Sequence, residues 1–218
     1  SGITAGLART VSADAAQVQS SRELRLHDSL WRLVLEAKIQ NQARLLSLLG
    51  ADSTRLEKQL QMGHPSEADC ARHYWKCFFE KMGEPGVSRR DPAGTPLNAK
   101  LNYGYAVLAS LVHREIIVHG LSPLFGIHHK SRAKAHPLVY DLMEPLRPFM
   151  DKFLVSFEVR TRGDMKEWAK HVAANMKDTK IKHGSCRIKL IDSLGFYVSS
   201  LAESFRRRSA KHLKIPQL

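Results

Sequence analysis

Four side chains in two stretches of the sequence, and one far upstream, could do chemistry together. His128 and His129 close the glycine-marked turn Gly120-Leu-Ser-Pro-Leu-Phe-Gly-Ile-His-His129. Asp141 and Glu144 follow in Tyr140-Asp-Leu-Met-Glu-Pro145, spaced to share one face of a helix. Glu67 stands at the head of an apolar pattern. An imidazole with two or three carboxylates is a donor set for a hard divalent cation, one imidazole being better tolerated by manganese than by magnesium. Such a cation polarises a phosphoryl oxygen and stabilises charge on the attacking or leaving oxygen. In that reading Glu67, one of the two histidines and Glu144 are the ligands. Asp141 is a fourth ligand or the group that orients the others. Adjacent histidines point in different directions, so both are not expected to bind. Each piece alone has an ordinary alternative: a histidine in a turn is commonly a surface residue, and Asp-x-x-Glu is commonly a solvated helix face. The sequence carries no HExxH motif, nucleotide-binding glycine loop or nucleophile elbow.

Charge narrows the substrate. The 218 residues include 34 Lys and Arg against 21 Asp and Glu, a net charge of +13. Lys and Arg neutralise phosphates and release counterions, so the balance favours nucleic acid over other partners. A hydrophobic fraction of 43% can supply a sizeable core. Cys70, Cys77 and Cys186 are odd in number and without CxxC spacing, which argues against a disulfide framework or a zinc ribbon. Cys70 and Cys77 read as small buried apolar side chains in a reducing cytoplasm. No signal peptide is evident, and the apolar stretch from Tyr105 to Leu121 is interrupted by His113-Arg-Glu115, so no membrane span is expected.

The elements that must position these groups are helical. Residues 1–21 are small, polar and Ala-rich, a linker or weak helix. From Glu23 to Gly50, Leu26, Leu30, Leu33, Val34 and Ala37 recur at helical spacing, and Gly50 supplies the stop. A short helix over Ser53–Met62 is broken by Gly63-His-Pro65. Ser66-Glu-Ala-Asp69 opens a third helix with Glu67, Ala71, Tyr74 and Phe78 on one face. Glu67 then either caps the helix from solvent or points into a cavity. Gly83 to Pro96 is a loop carrying Arg89-Arg90, solvated or gripping a DNA backbone. Leu97–Gly120 is a buried central helix, whose Asn98, Asn102, Tyr103 and Tyr105 are expected to satisfy local hydrogen bonds. Pro145 and Pro148 predict a kink or break immediately after Glu144 in the pattern from Pro137 to Phe157. Met165–Thr179 is amphipathic, with Trp168 and Val172 inward. Lys177–Lys189 is basic with a turn at His183-Gly184. The last helix spans about Arg187 to Ala210 and ends in Arg206-Arg-Arg208. No repeat and no convincing strand is visible. The fold class is all-α, a compact multi-helix domain over residues 22–218.

Four stretches together resemble a known family, the universal CRISPR-associated integrase that inserts new spacers into CRISPR arrays, in its type II form. They are Leu97-Asn-Ala-Lys-Leu-Asn-Tyr-Gly-Tyr-Ala106, the turn from Gly120 to His129, Asp141-Leu-Met-Glu-Pro-Leu-Arg-Pro148, and the tail from Leu190-Ile-Asp-Ser-Leu to Ile215-Pro-Gln-Leu218. Asn41-Gln-Ala-Arg44 and Glu67-Ala-Asp-Cys-Ala-Arg-His-Tyr74 fit as well, and the likeness covers about residues 22 to 218. The resemblance implies a metal site of Glu67, His129 and Glu144, selecting His129 over His128, with Asp141 as the associated carboxylate. It implies Mg2+ or Mn2+ and a transesterification in which the 3′-hydroxyl of a prespacer DNA attacks a phosphodiester at the edge of a repeat. Cleavage of branched DNA is the reverse type of reaction.

Implied partners are prespacer and repeat DNA, a second copy of the chain, and a small companion protein, in a prokaryotic cytoplasm. Arg89, Arg90, Lys130 and Arg132 are the candidate DNA contacts. Family members begin with a small β-rich domain, and this chain starts where that domain should have ended, as a fragment or a natural short form. The domain helps to dimerise the protein and to dock the companion, so both partnerships would then fall to the helical part. Two competing readings are a catalytically idle DNA-binding helical module and a transposon-borne relative of the integrase.

Overall fold

Apolar residues at helical spacing form the frame of the computed structural model, which describes residues 14–21, 23–89, 94–129, 135–161, 163–183 and 186–218. Helix α1 covers residues 14–21, the end of the stretch read as a linker or weak helix. Helix α2, Leu24–Leu48, buries Leu26, Leu30, Val34, Ala37, Leu45 and Leu46, and Gly50 follows it at φ 61°. Then come α3 (Thr54–Gln61), α4 (Glu67–Lys81), α5 (Pro96–Val118) and α6 (Pro137–Met143). A single 3-10 turn, Glu144–Leu146, separates α6 from α7, Arg147–Arg160. Pro145 therefore breaks the helix where its missing N–H requires. Helix α8 (Met165–Asp178), strands β1 (Lys180–His183) and β2 (Cys186–Lys189), α9 (Leu190–Arg206) and a 3-10 turn at Ala210–His212 complete the order. No helix among the described residues is long and apolar enough to cross a membrane.

The two strands correct the sequence expectation of no strand and of a last helix starting near Arg187. They pair antiparallel with Ile181 opposite Ile188 and Lys182 opposite Arg187. Ile181 is buried while Lys180, Lys182, Arg187 and Lys189 are exposed, so the apolar and basic residues alternate with period two. Four residues per strand are too few for that alternation to outweigh the longer helical stripe beyond it. Of the apolar series Ile188, Ile191, Leu194, Val198 and Leu201 read for that helix, Leu194, Val198 and Leu201 are buried on α9, whereas Ile188 lies on β2 and Ile191 is half-buried.

Contacts divide the chain into two units interleaved in sequence. One comprises Ser1–Val34, Leu108–Glu144 and Lys180–Pro216; the other Leu35–Val107, Pro145–Thr179 and Gln217–Leu218. In the second unit Trp168 is fully buried and its indole N–H donates to the Lys100 carbonyl at 2.9 Å. Gly104 lies beside the ring, where a Cβ would meet it at an ordinary van der Waals distance of 3.4 Å. Cys70, Tyr74, Cys77, Phe78 and Phe79 form the buried face of α4, as the cysteine reading anticipates; of the expected face, Tyr74 and Phe78 are buried and Glu67 and Ala71 are half-buried.

The polar centre of this unit is Asp151, 1% exposed. It accepts the Tyr74 hydroxyl at 2.6 Å and the Tyr105 hydroxyl at 2.5 Å. Arg147 lies over the Tyr105 ring at 4.8 Å, and Arg89 covers the same ring at 5.3 Å and Trp75 at 5.6 Å. Burial pushes the Asp151 carboxyl up to about 6, against the two phenol hydrogen bonds and the nearby arginines, which lower it. A folded-state value above the unfolded one means that the folded chain holds the extra proton. The stabilisation is complete below about pH 4 and is lost as pH rises through 6. The Asp151→Asn protein should therefore lose less stability than the unaltered chain between pH 4 and 7. The difference should be of the order of 2 kcal/mol in urea unfolding at each pH, whereas parallel curves would show Asp151 fully charged in the core.

Candidate active site

A carboxylate without solvent must be satisfied by protein donors. Asp141, on α6, is 0% exposed. It accepts the His128 backbone N–H at 2.9 Å, the His129 backbone N–H at 3.3 Å and a short hydrogen bond from the His129 ring through Nδ1. An ionised carboxylate only accepts, so Nδ1 carries the proton. In the neutral ring Nε2 is then left with its lone pair, the state in which imidazole binds a metal. The histidine side chain is 26% exposed, enough to meet a substrate or an ion.

The turn that delivers His129 is built for this contact. Gly126 has no room for a side chain: a Cβ would lie 2.5 Å from the His129 carbonyl oxygen, 2.8 Å from Asp141 Oδ2 and 2.9 Å from Pro137. Gln19, fully buried on α1, clamps the turn from behind. Its amide NH2 donates to the Ser122 and Phe125 carbonyls at 2.7 Å each, and its Oε1 accepts from the Ser122 N–H at 2.9 Å. Trp31 on α2 stacks on the exposed His128 ring at 4.2 Å with 6° between the planes, and meets His129 edge-on at 5.9 Å. The two adjacent histidines thus point differently, one into the stack and the other onto Asp141.

Glu144 opens the 3-10 turn, 6% exposed. The Tyr197 phenol of α9 is buried and feels the charges of Asp141 and Glu144; burial first, and these carboxylates next, push its pKa well above the ordinary range. Its hydroxyl has no hydrogen-bond partner among the described residues. Glu67 is the first residue of α4, after Ser66, whose hydroxyl caps the helix by accepting from the Asp69 N–H. Its carboxylate accepts from Lys38 Nζ at 2.8 Å, with the side chains 40% and 10% exposed.

The structure therefore couples His129 to Asp141, and places Glu67 on α4 with a lysine partner. Among the described residues no three His, Cys, Asp or Glu side chains form a ready-made ion cage. The donor types nonetheless fit a hard divalent cation: an imidazole with its Nε2 lone pair fixed by an acidic partner, and glutamate oxygens.

Of the candidate DNA contacts, Arg89 is held internally. It donates to Asn98 Oδ1 at 3.3 Å and Asn102 Oδ1 at 2.7 Å, which are the local bonds expected of those amides. Arg90, Lys130 and Arg132 lie outside the described residues. Gln19, Trp31, Lys38 and Tyr197 bear on the site without having stood out in the sequence.

Comparisons with known proteins agree with this architecture. The family model described as CRISPR associated protein Cas1 matches residues 3–182. A CRISPR-associated endonuclease Cas1 of Neisseria meningitidis serogroup C is 28% identical over 202 residues, 88% of this chain and 64% of that protein. One from Pyrobaculum aerophilum is 36% identical over 113 residues, 52% of this chain and 36% of the relative. The chain thus spans less than two thirds of the length of either. Among solved structures, a casposase bound to integration product superposes with TM-score 0.71 at 18% identity, covering 94% of this chain and 70% of that one. A Cas1 protein from Thermotoga maritima gives 0.73 at 13% identity, over 87% and 69% of the two chains. A partial Cas6-RT-Cas1–Cas2 complex gives 0.75 at 14% identity, over 91% and 71%.

The Gly126 contacts yield a direct test of the site's construction. Gly126→Ala should push the His129 carbonyl and Asp141 apart and cost about 1–3 kcal/mol in thermal or urea unfolding. Gly104→Ala, with only ordinary contacts to Trp168 and Met150, should cost less.

Proposed function

The chain belongs to the CRISPR-associated Cas1 family, and from that premise we propose that it joins DNA ends by divalent-metal-dependent transesterification in CRISPR spacer acquisition. The 3′-hydroxyl of a prespacer attacks a phosphodiester at the edge of a repeat. A new phosphodiester forms as the old one breaks, and the repeat's own 3′-oxygen leaves. Endonuclease action on branched DNA is the same chemistry run in the other sense. The observation that carries the reading is the His129–Asp141 pair, because it fixes the ring and presents Nε2 outward. Relatives named endonucleases, and structural neighbours that include a casposase on its integration product, support this class of reaction.

In this reading His129 Nε2, Glu144 and Glu67 hold Mg2+ or Mn2+, and Asp141 orients the imidazole. The bound ion supplies Lewis-acid polarisation of the phosphoryl oxygen and stabilises the leaving oxygen. Lys38, which donates to the Glu67 carboxylate at 2.8 Å, orients it. The net charge of +13 supplies general attraction for two DNA substrates. Arg89 orders the loop after α4, and Arg90, Lys130 and Arg132 contact the DNA backbone. A second copy of the chain and a small companion complete the assembly, as the related Cas1–Cas2 complex suggests. The prokaryotic cytoplasm, where the repeat array stands, is the place of action.

The deciding measurement is strand joining of a labelled prespacer to repeat DNA with Mn2+. Glu67→Ala, His129→Ala and Glu144→Ala should each reduce joining by more than about 100-fold, exceeding the loss typical of a residue that only supports a ligand. DNA affinity should stay near that of the unaltered protein. Joining by the Glu67→Ala and His129→Ala proteins at the unaltered rate would sink the metal-site reading and leave a DNA-binding module.

A further inference from the structure

Two sequence motifs remain without a role, Asn41-Gln-Ala-Arg44 on α2 and the tail Ile215-Pro-Gln-Leu218, and the structure joins them. Asn41 is 1% exposed. Its Oδ1 accepts the Leu218 N–H at 2.9 Å, and its Nδ2 donates to the Pro145 carbonyl at 2.7 Å. Arg44 Nη1 donates to the Leu218 carbonyl at 3.0 Å. Both ends of one buried amide are thus used, one on the tail and the other on the residue that follows Glu144.

We infer that Asn41, latched by the tail through Leu218, is a positioning residue for the Glu144 carboxylate. The backbone supplies the reason. The Pro145 ring locks its φ, and the hydrogen bond from Asn41 fixes the direction of its carbonyl and hence its ψ. The 3-10 turn Glu144–Leu146 lacks the regular i→i−4 ladder that would otherwise hold this stretch rigid. Asn41 replaces that ladder. An amide is needed, because the site takes one donor and one acceptor from the same side chain. The Leu218 N–H settles which way the amide is turned: with the oxygen engaged by the tail, the NH2 must face Pro145. A tail that is not seated lets the amide rotate, and an amide oxygen facing the Pro145 carbonyl would repel it.

This inference rests on the proposed role of Glu144 as a metal ligand, and its test separates the two. Mn2+ affinity and the electron paramagnetic resonance spectrum of bound Mn2+ are measured on the full chain, with DNA joining measured alongside. Asn41→Asp keeps the acceptor for Leu218 but loses the donor to Pro145. Leu218→Pro removes the tail N–H together with the leucine side chain, and Leu218→Ala, which keeps the N–H, controls for the side chain. Asn41→Asp and Leu218→Pro should both weaken Mn2+ binding by about tenfold, the loss expected for a group that supports a ligand, and change the Mn2+ line shape. The rate of joining at saturating Mn2+ should fall less than the affinity does. Asn41→Gln, with the same donor and acceptor on a longer arm, should recover part of the affinity lost in Asn41→Asp. Thermal unfolding of each variant identifies any that fail to fold, and Leu218→Pro, altering a surface-proximal tail, keeps the test open if Asn41→Asp unfolds. Unaltered Mn2+ affinity and spectrum in a folded Leu218→Pro protein would overturn the latch alone. Absence of Mn2+ binding by the unaltered chain would overturn the latch together with the metal-site reading.

Discussion

The carboxylate of Asp141 has no water to solvate it, and the first unit's functional end follows from that constraint. A buried charge is tolerable only when donors are brought to it. Here the donors are two successive backbone N–H groups and the imidazole of His129. Successive N–H groups can converge on one acceptor only in a tight turn, and the turn can close only over a glycine, because anything larger at Gly126 would occupy the space of Asp141 itself. Gln19 then holds the turn by three hydrogen bonds that no water need supply. The identity of one buried acid thus dictates a glycine, a turn, an amide clamp and the tautomer of a histidine.

A different chain feature sets the position of Glu144. The helix that carries Asp141 cannot continue through Pro145, so Glu144 falls in a 3-10 turn rather than on a regular helical face. That placement leaves the residue 6% exposed with its acidic side chain retained. Tyr197 belongs to the same environment, and its partnerless buried hydroxyl costs of the order of 1–3 kcal/mol that packing alone would not require.

How far the sequence discloses this arrangement depends on the range of the signal. Helices α2, α4 and α5 announce themselves by apolar spacing over many turns, and the break after Glu144 by a single proline. The hairpin at Lys180–Lys189 stays hidden, because its two four-residue strands contain one isoleucine each. In the site, His129, Asp141 and Glu144 are readable as candidates, since turn glycines and Asp-x-x-Glu spacing are local. The Asp141 bond to His129 Nδ1 is not readable, because it is decided by where α6 packs. Gln19, Trp31 and Lys38 are invisible for the same reason: Gln19 acts across 103 residues of chain on Ser122, and nothing local distinguishes it from a solvated glutamine. The motif resemblance supplies what spacing does not, namely the preference for His129 over His128, and in the structure the His128 ring stacks on Trp31 while His129 meets Asp141.

Two buried aspartates differ in what their hydrogen-bond donors can pass on. Asp151 receives both its hydrogen bonds from tyrosine hydroxyls, and those phenols end there. Its network is closed, flanked by arginines lying on the aromatic rings, and its role is to fix helices against one another. Asp141 receives its side-chain bond from a ring that has a second nitrogen. The imidazole is bound at one edge and leaves the other edge free of Asp141, so the constraint on the acid is transmitted through the ring to the second nitrogen of a side chain 26% open to solvent. Burial is equal in the two cases, and so is the need for satisfaction. The donor makes the difference: a phenol terminates the chain of interaction, whereas an imidazole extends it to a second ring nitrogen.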